Sequence, residues 1–272
     1  MQQPVMKQYP TILQAIHLII LYIFIQTLVD FPLALLDYHN DTEYLYHPVK
    51  KILLGVGSTL FILWWGFRNT GNPLKSVFPL KKFHPFIFVP LTLFLLGIQQ
   101  LLNVVNNWVE KVIPAPSWFW EMFNRIFEND FGFFGAFMKV VIIAPIVEEL
   151  IFRGVIMHGL MRNYSKATAI FFSGLLFALF HLNPWQFPAT FMLGALLGWL
   201  MIETRNILLA IAGHAINNLL VLLAITFHEE LANGIYERMS AFTLNVMAGL
   251  IAISSLIAII YLLYIPKTIK KE

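Results

Sequence analysis

Runs of about twenty apolar residues recur from one end of this chain to the other, and that is the length a helix needs to cross a hydrocarbon core. Eight helices are expected, near residues 11–36, 49–67, 85–112, 132–161, 166–182, 187–203, 206–228 and 240–265. The fifth and sixth are short. Composition agrees, since 58% of the 272 residues are hydrophobic and 12% charged, against about a quarter charged in a soluble domain. The expected fold class is all-α, a polytopic transmembrane helix bundle of about eight spans with a site buried within the membrane. Residues 1–272 form one integral membrane domain. Residues 1–130 hold the N-terminal helices and an interfacial helix, 131–228 the core helices that carry chemistry, and 229–272 a last helix and a basic tail. The first apolar run, Thr11 to Val29, is too long for a signal-peptide core and lacks a small-residue cleavage site, so it reads as a retained helix. The chain has no cysteine, which excludes disulfides and thiol chemistry.

An even number of spans puts both termini on one side. Cytoplasmic termini place Lys7, Arg68, Lys75, Lys81, Lys82, Arg162, Lys166, Arg205, Lys267, Lys270 and Lys271 inside. Only Lys50, Lys51, Lys111, Arg125 and Arg238 fall outside, as the positive-inside rule asks. The expected location is a cell membrane. Beyond the Lys267/Lys270/Lys271 tail, Lys and Arg form no dense patch, so nucleic acid is not an expected partner. Between the third and fourth spans, Phe119, Met122, Phe123, Ile126 and Phe127 share one helical face. Glu121, Asn124, Arg125 and Glu128 take the other. This reads as a helix lying in the outer interface, either a plain aromatic anchor or a gate over the bundle. No internal repeat supports an inverted-repeat transporter.

Against this apolar background, the pair Glu148-Glu149 with Arg153 stands out. A charge at mid-helix costs about 2.5–3.5 kcal/mol, while each large aliphatic residue returns only about 0.3–0.6. The fourth helix is therefore expected to turn its charged face into protein. Glu149 and Arg153, four apart, share a face and can neutralise each other. Glu148 lies about 100° around the helix and lacks that partner. A buried carboxylate without a cation is suited to serve as general base or acid at neutral pH. Glu148 is thus assigned to chemistry, Glu149 and Arg153 to its support.

Two further polar clusters occur on successive apolar segments. Phe177-x-x-x-His181 ends the fifth helix, and His214-x-x-x-Asn218 lies inside the seventh. If the three helices meet, Glu148 and His181 can activate a water, with His214 and Asn218 donating to a developing oxyanion. Equally, Glu148, His181 and His214 could ligate Zn²⁺ with an open position for water. Taken singly, His181 reads as interfacial, and Asn217 and Asn218 as interhelix hydrogen-bond partners. Pro145 frees the carbonyl of Val141, and the helix either kinks there or restarts. Gly194 and Gly198 form a G-x-x-x-G packing pair. Gln99, Asn103, Asn106 and Glu110 stripe the third helix, lining a wet cavity or bonding a neighbouring helix. His228-Glu229-Glu230 resembles half a zinc-protease motif, but Ala232 stands where its second histidine would be. Depth sets a condition: at ~1.5 Å per residue, Glu148 and His181 lie roughly 22–24 Å from the inner boundary and His214 about 12 Å. Tilt, a kink or a sloping seventh helix must close the gap.

The ordered triple Glu148-Glu149-x-x-x-Arg153, Phe177-x-x-x-His181 and His214-x-x-x-Asn218 resembles the CAAX protease and bacteriocin-processing (CPBP, or Abi) family over about residues 140–222. No motif position departs from the family pattern. The resemblance implies a helical bundle with an intramembrane site and hydrolysis of a peptide bond in a membrane-associated peptide or protein. Eukaryotic members trim the last three residues of prenylated proteins. Bacterial members are linked to peptide-pheromone or bacteriocin maturation and to self-immunity. By resemblance, Glu148 and His181 activate water while His214 and Asn218 hold the oxyanion. Some members are non-proteolytic scaffolds, so a membrane scaffold or a bacteriocin self-immunity protein is the rival expectation.

Overall fold

The computed structural model describes residues 8–42, 44, 48–121 and 132–264. Among these, every long element is a helix. α1 spans Ile12–Asn40, α2 Pro48–Thr70 and α3 Phe88–Val112. The fourth, α4, covers 132–163 as an unbroken run of alternating α and π turns. α5 spans Lys166–Phe180, α6 Phe187–Thr204, α7 Ile207–Thr226 and α8 Ala241–Tyr264.

Local chemistry marks the ends. Thr11 opens α1 with a reciprocal capping box, its side chain accepting from the Gln14 N–H while Gln14 reaches back to the Thr11 N–H. Such a cap satisfies two of the amide donors that a helix start leaves orphaned. Ser165 caps α5 and Asn206 caps α7, each side chain accepting from a first-turn N–H. Pro188 sits in the first turn of α6, where its missing N–H costs nothing.

Five helices are long and apolar enough to cross a membrane: α1, Pro85–Val112, α6, α7 and α8. The chain is thus a helical, multi-pass membrane protein. The eight expected segments all occur as helices, but length and apolarity qualify five of them. Lys166–Phe180 is apolar yet short, and α4 carries Lys139, Glu148, Glu149 and Arg153 along its length. Of the expected interfacial helix, residues 117–121 are helical. The remainder, with Met122 to Glu128, lies outside the described residues, as do Lys7 and the Lys267/Lys270/Lys271 tail.

Two apolar clusters build the bundle. One joins α1, α2, α4 and α5 through Leu18, Ile62, Phe152, Val155, Leu160 and Phe177. The other joins α3, α6, α7 and α8 through Leu91, Leu95, Leu197, Leu200, Ala210 and Ile259. Leu193 of α6 packs against both. At this seam α5 and α6 approach closely: a Cβ added at Gly194 would lie 2.9 Å from the Gly174 Cα. Only a residue without a side chain admits that distance, which explains the first glycine of the G-x-x-x-G pair.

The structure brings His214 to the glutamates of α4, Nδ1 lying 2.9 Å from Glu149 Oε1, and α7 is anchored at its start. Its first residues are pinned to the segment before α3, with Ile207 N–H donating to Pro79 O and Asn206 Nδ2 to Lys81 O. Arg205, at the α6–α7 turn, lines the same cavity as His158, which lies more than a turn inside the end of α4.

Candidate functional site

Helix α4 reaches the site through two π turns, Phe137–Ile143 and Leu150–Ile156, with the α-helical stretch Ala144–Glu149 between them. Each π turn inserts a residue into the ladder and re-aims the side chains beyond it, a distortion common at functional positions. The first has an identifiable cause and consequence. Ala144 N–H donates to Lys139 O, five residues back. In that register Pro145, lacking an N–H, leaves the carbonyl of Val140 without a backbone donor. The expectation that Val141 is the freed carbonyl assumed a four-residue ladder; the π turn moves it to Val140. Asn218 of α7 supplies the missing donor, its Nδ2 lying 2.9 Å from Val140 O. The helix neither breaks nor restarts, and Pro145 opens the α-helical stretch that holds both glutamates.

Glu149 and Arg153 are completely buried. Arg153 Nη1 donates to Glu149 Oε1 at 2.9 Å and Nη2 to Gly194 O at 2.9 Å. Its guanidinium also stacks 4.5 Å from the centre of the Phe177 ring. The predicted pair is therefore formed, with a backbone carbonyl and an aromatic face completing the cation's surroundings. His214, also buried, approaches the same carboxylate, with Nδ1 2.9 Å from Glu149 Oε1. A carboxylate only accepts, so His214 donates through Nδ1 and leaves Nε2 on its far side.

Glu148, one residue earlier, faces elsewhere. Its Oε2 lies 3.8 Å from His181 Nε2, with side-chain exposures of 17% for the glutamate and 32% for the histidine. That Oε2 is buried and takes no hydrogen bond from a described residue. His181 caps α5 and fixes its own ring: Nδ1 donates to Phe177 O at 2.8 Å. The other nitrogen is thereby turned toward Glu148. The separation is too long for a hydrogen bond and of the size one water molecule bridges.

Phe177 is the motif residue to which the sequence assigned no role. Fully buried, it sets its ring 4.7 Å from His181, 5.5 Å from His214 and 5.2 Å from Phe152, centre to centre. One rigid aromatic thus separates the two imidazoles and roofs Arg153. The structure brings Glu148, Glu149, Arg153, Phe177, His181 and His214 together from α4, α5 and α7. Asn218 stands one turn beyond His214, with its carbonyl oxygen accepting from Asn217 at 3.1 Å. Gln99 of α3 donates to Asn217 Oδ1 at 3.1 Å, so at that position the α3 stripe bonds a neighbouring helix. Residues 228–230 are exposed on a short helix.

Among the described residues no three His, Cys, Asp or Glu side chains group as metal ligands. His181 bonds Phe177 O and His214 bonds Glu149, each through Nδ1, which leaves both Nε2 atoms available, a pattern that metal-ligating histidines share.

Residues 130–220 match the family model described as type II CAAX prenyl endopeptidase Rce1-like. The match covers about a third of the chain and contains all three motifs. It agrees with the resemblance carried by the motif residues. No curated protein and no solved structure matches the chain.

Proposed function

We propose that this protein is an intramembrane endopeptidase of CAAX type that hydrolyses a peptide bond in a membrane-associated peptide or protein, with Glu148 as general base. The observation that carries the reading is the facing of Glu148 Oε2 and His181 Nε2 across 3.8 Å, beside a neighbouring glutamate whose Oε1 is bonded to Arg153 and His214.

A water held between Glu148 and His181 gives a proton to Glu148 while its oxygen attacks the scissile carbonyl carbon. The carbonyl π pair moves onto oxygen, which gains charge. His214 and Asn218 are the donors for that oxyanion, His214 through Nε2 in its doubly protonated form, since its Nδ1–H is held by Glu149. His214 is oriented by Glu149, and Asn218 has a second amide N–H beyond the one on Val140 O. Collapse of the tetrahedral intermediate breaks the C–N bond, and the proton held by Glu148 passes to the leaving amine. In this reading His181 positions the water through Nε2, because Phe177 O holds Nδ1 as the protonated nitrogen. In this reading the chemistry is of glutamate type, and a chelator separates it from the metallo-type alternative.

Under the same proposal α2, α4 and α5 are also spans, eight in all, with both termini in the cytoplasm of a cell-membrane protein. Purified protein should cleave a reporter peptide, and Glu148→Gln or His181→Ala should each lower kcat by about 10²-fold or more in the presence or absence of chelator. Retained cleavage in both variants sinks the assignment and favours a scaffold or immunity role.

A further inference from the structure

A second polar constellation lies at the opposite end of α4. A cavity of about 250 Å³ opens there between α4, the α6–α7 turn and the short helix Leu74–Val77. Its polar lining comprises Ser76, His158, Arg162, Arg205 and the inner flank of Arg153, with no carboxylate among the lining residues. Arg162 and Arg205 are exposed, so the cavity opens where α4 and α6 end. Among the described residues Arg162 hydrogen-bonds to neutral groups, Gln8 Oε1 at 3.2 Å and Ser76 Oγ at 3.4 Å, and to no carboxylate. The side chain of Arg205 hydrogen-bonds to no described residue. Glu203, the acidic residue in the last turn of α6, is engaged by Lys166 at 3.2 Å.

His158 gives the cavity its chemical polarity. Its Nδ1 donates to Ser76 O at 3.1 Å, while its Nε2 is buried and receives no hydrogen bond from a described residue. A neutral imidazole fixed in this way presents a lone pair at Nε2, a seat for a hydroxyl hydrogen. Two guanidiniums beside it supply forked donors for phosphate oxygens. Deeper in, Met157, Met161 and Met201 form a pliable apolar wall. The volume falls just under the ~300–1,000 Å³ of typical small-molecule sites, which suits a headgroup more than a whole cofactor.

We propose that this cavity binds a phosphate group bearing a neighbouring hydroxyl, as in a phosphoglycerol moiety, with Arg162 and Arg205 on the phosphate and His158 Nε2 on the hydroxyl. Such a group comes either as the headgroup of an anionic lipid or as a free glycerol phosphate. The site is separate from Glu148 and His181, and its test uses no proteolytic readout.

Full-length protein is placed in phosphatidylcholine nanodiscs with and without phosphatidylglycerol, and its thermal unfolding is followed. In a second arm, glycerol 3-phosphate is titrated into detergent-solubilised protein by calorimetry. Arg162→Gln combined with Arg205→Asn removes both charges. Asparagine is chosen because residue 205 sits at φ +52°, a conformation it tolerates. Stabilisation by phosphatidylglycerol that the double variant loses identifies the lipid. Binding of glycerol 3-phosphate that the variant weakens by about tenfold or more identifies the free compound. Absence of both effects in the wild type, or their survival in the variant, overturns the proposal. If the double variant is unstable in phosphatidylcholine, Arg162→Gln alone carries the same comparison.

Discussion

Arg153 Nη1 and His214 Nδ1 both lie 2.9 Å from one oxygen of Glu149. A single carboxylate therefore ties the fourth helix to the seventh and compensates a guanidinium with no access to solvent. Removing one member of a buried pair strands the other, at about 3–5 kcal/mol, whereas replacing both by apolar groups is often neutral. Glu149→Leu is expected to destabilise the protein by that amount. Glu149→Leu with Arg153→Met is expected to recover most of it. Unfolding in mild detergent, followed by circular dichroism against denaturant, measures both. A double variant less stable than Glu149→Leu would show that the pair itself supplies net stability.

The two histidines are expected to separate by the same reasoning. His181 is partly exposed and bonded only within its own helix turn, so His181→Ala should cost under about 1 kcal/mol of stability and still abolish cleavage. His214 is 2% exposed and bonded to Glu149. Truncating it leaves a buried acceptor short of a donor, a loss of about 1–3 kcal/mol. His214→Ala should therefore lower both the unfolding midpoint and kcat. Equal stability losses in the two variants would contradict the distinct placements.

Much of this site was legible in the sequence because helical spacing is rigid. Four residues separate Glu149 from Arg153, and that spacing alone puts them on one face; the ion pair is its direct consequence. What spacing within one helix cannot carry is contact between helices. Nothing in the chain's order says that His214 turns to Glu149 rather than toward Glu148, or that Gly194 lends its carbonyl to Arg153. The π turn before Pro145 shifted the freed carbonyl by one residue, since periodicity arguments assume a regular ladder. The role of Phe177 escaped for a simpler reason. A phenylalanine in an apolar helix carries no chemical signal, and its place between two imidazoles emerges only from packing. The fold behaved likewise: all eight helices were readable from apolar runs, while the hydrogen bonds that pin the start of α7 to Pro79 and Lys81 follow from no pattern.

Topology is directly testable because the chain has no cysteine. Single cysteines at Lys75 and Lys166 should react with a membrane-impermeant maleimide only in inverted vesicles. Those at Pro184 and Glu229 should react in intact cells. All four positions are exposed. Eight spans with cytoplasmic termini require this alternation. If Lys166 and Pro184 label from the same side, α5 does not cross the bilayer and the eight-span reading is wrong.

Gly194 and Gly198 belong to one motif but meet different neighbours, and the difference sets a last expectation. An added Cβ at Gly194 meets backbone, the Cα of Gly174 at 2.9 Å and its carbonyl oxygen at 3.2 Å. Backbone on a packed helix cannot step aside, so α5 and α6 must separate, and Gly194 O moves with them away from Arg153. Overpacking of this kind costs about 1–3 kcal/mol. At Gly198 the close neighbour is the terminal methyl of Met157, 2.8 Å away, the far end of a flexible side chain that can rotate. Gly194→Ala is therefore expected to lower the unfolding midpoint clearly and to reduce cleavage through the displaced Arg153–Glu149 pair. Gly198→Ala should change stability by under about 1 kcal/mol and leave cleavage near the wild-type rate. Parallel melting curves and reporter assays on the two variants decide it, and equal effects would remove the backbone contact as the cause.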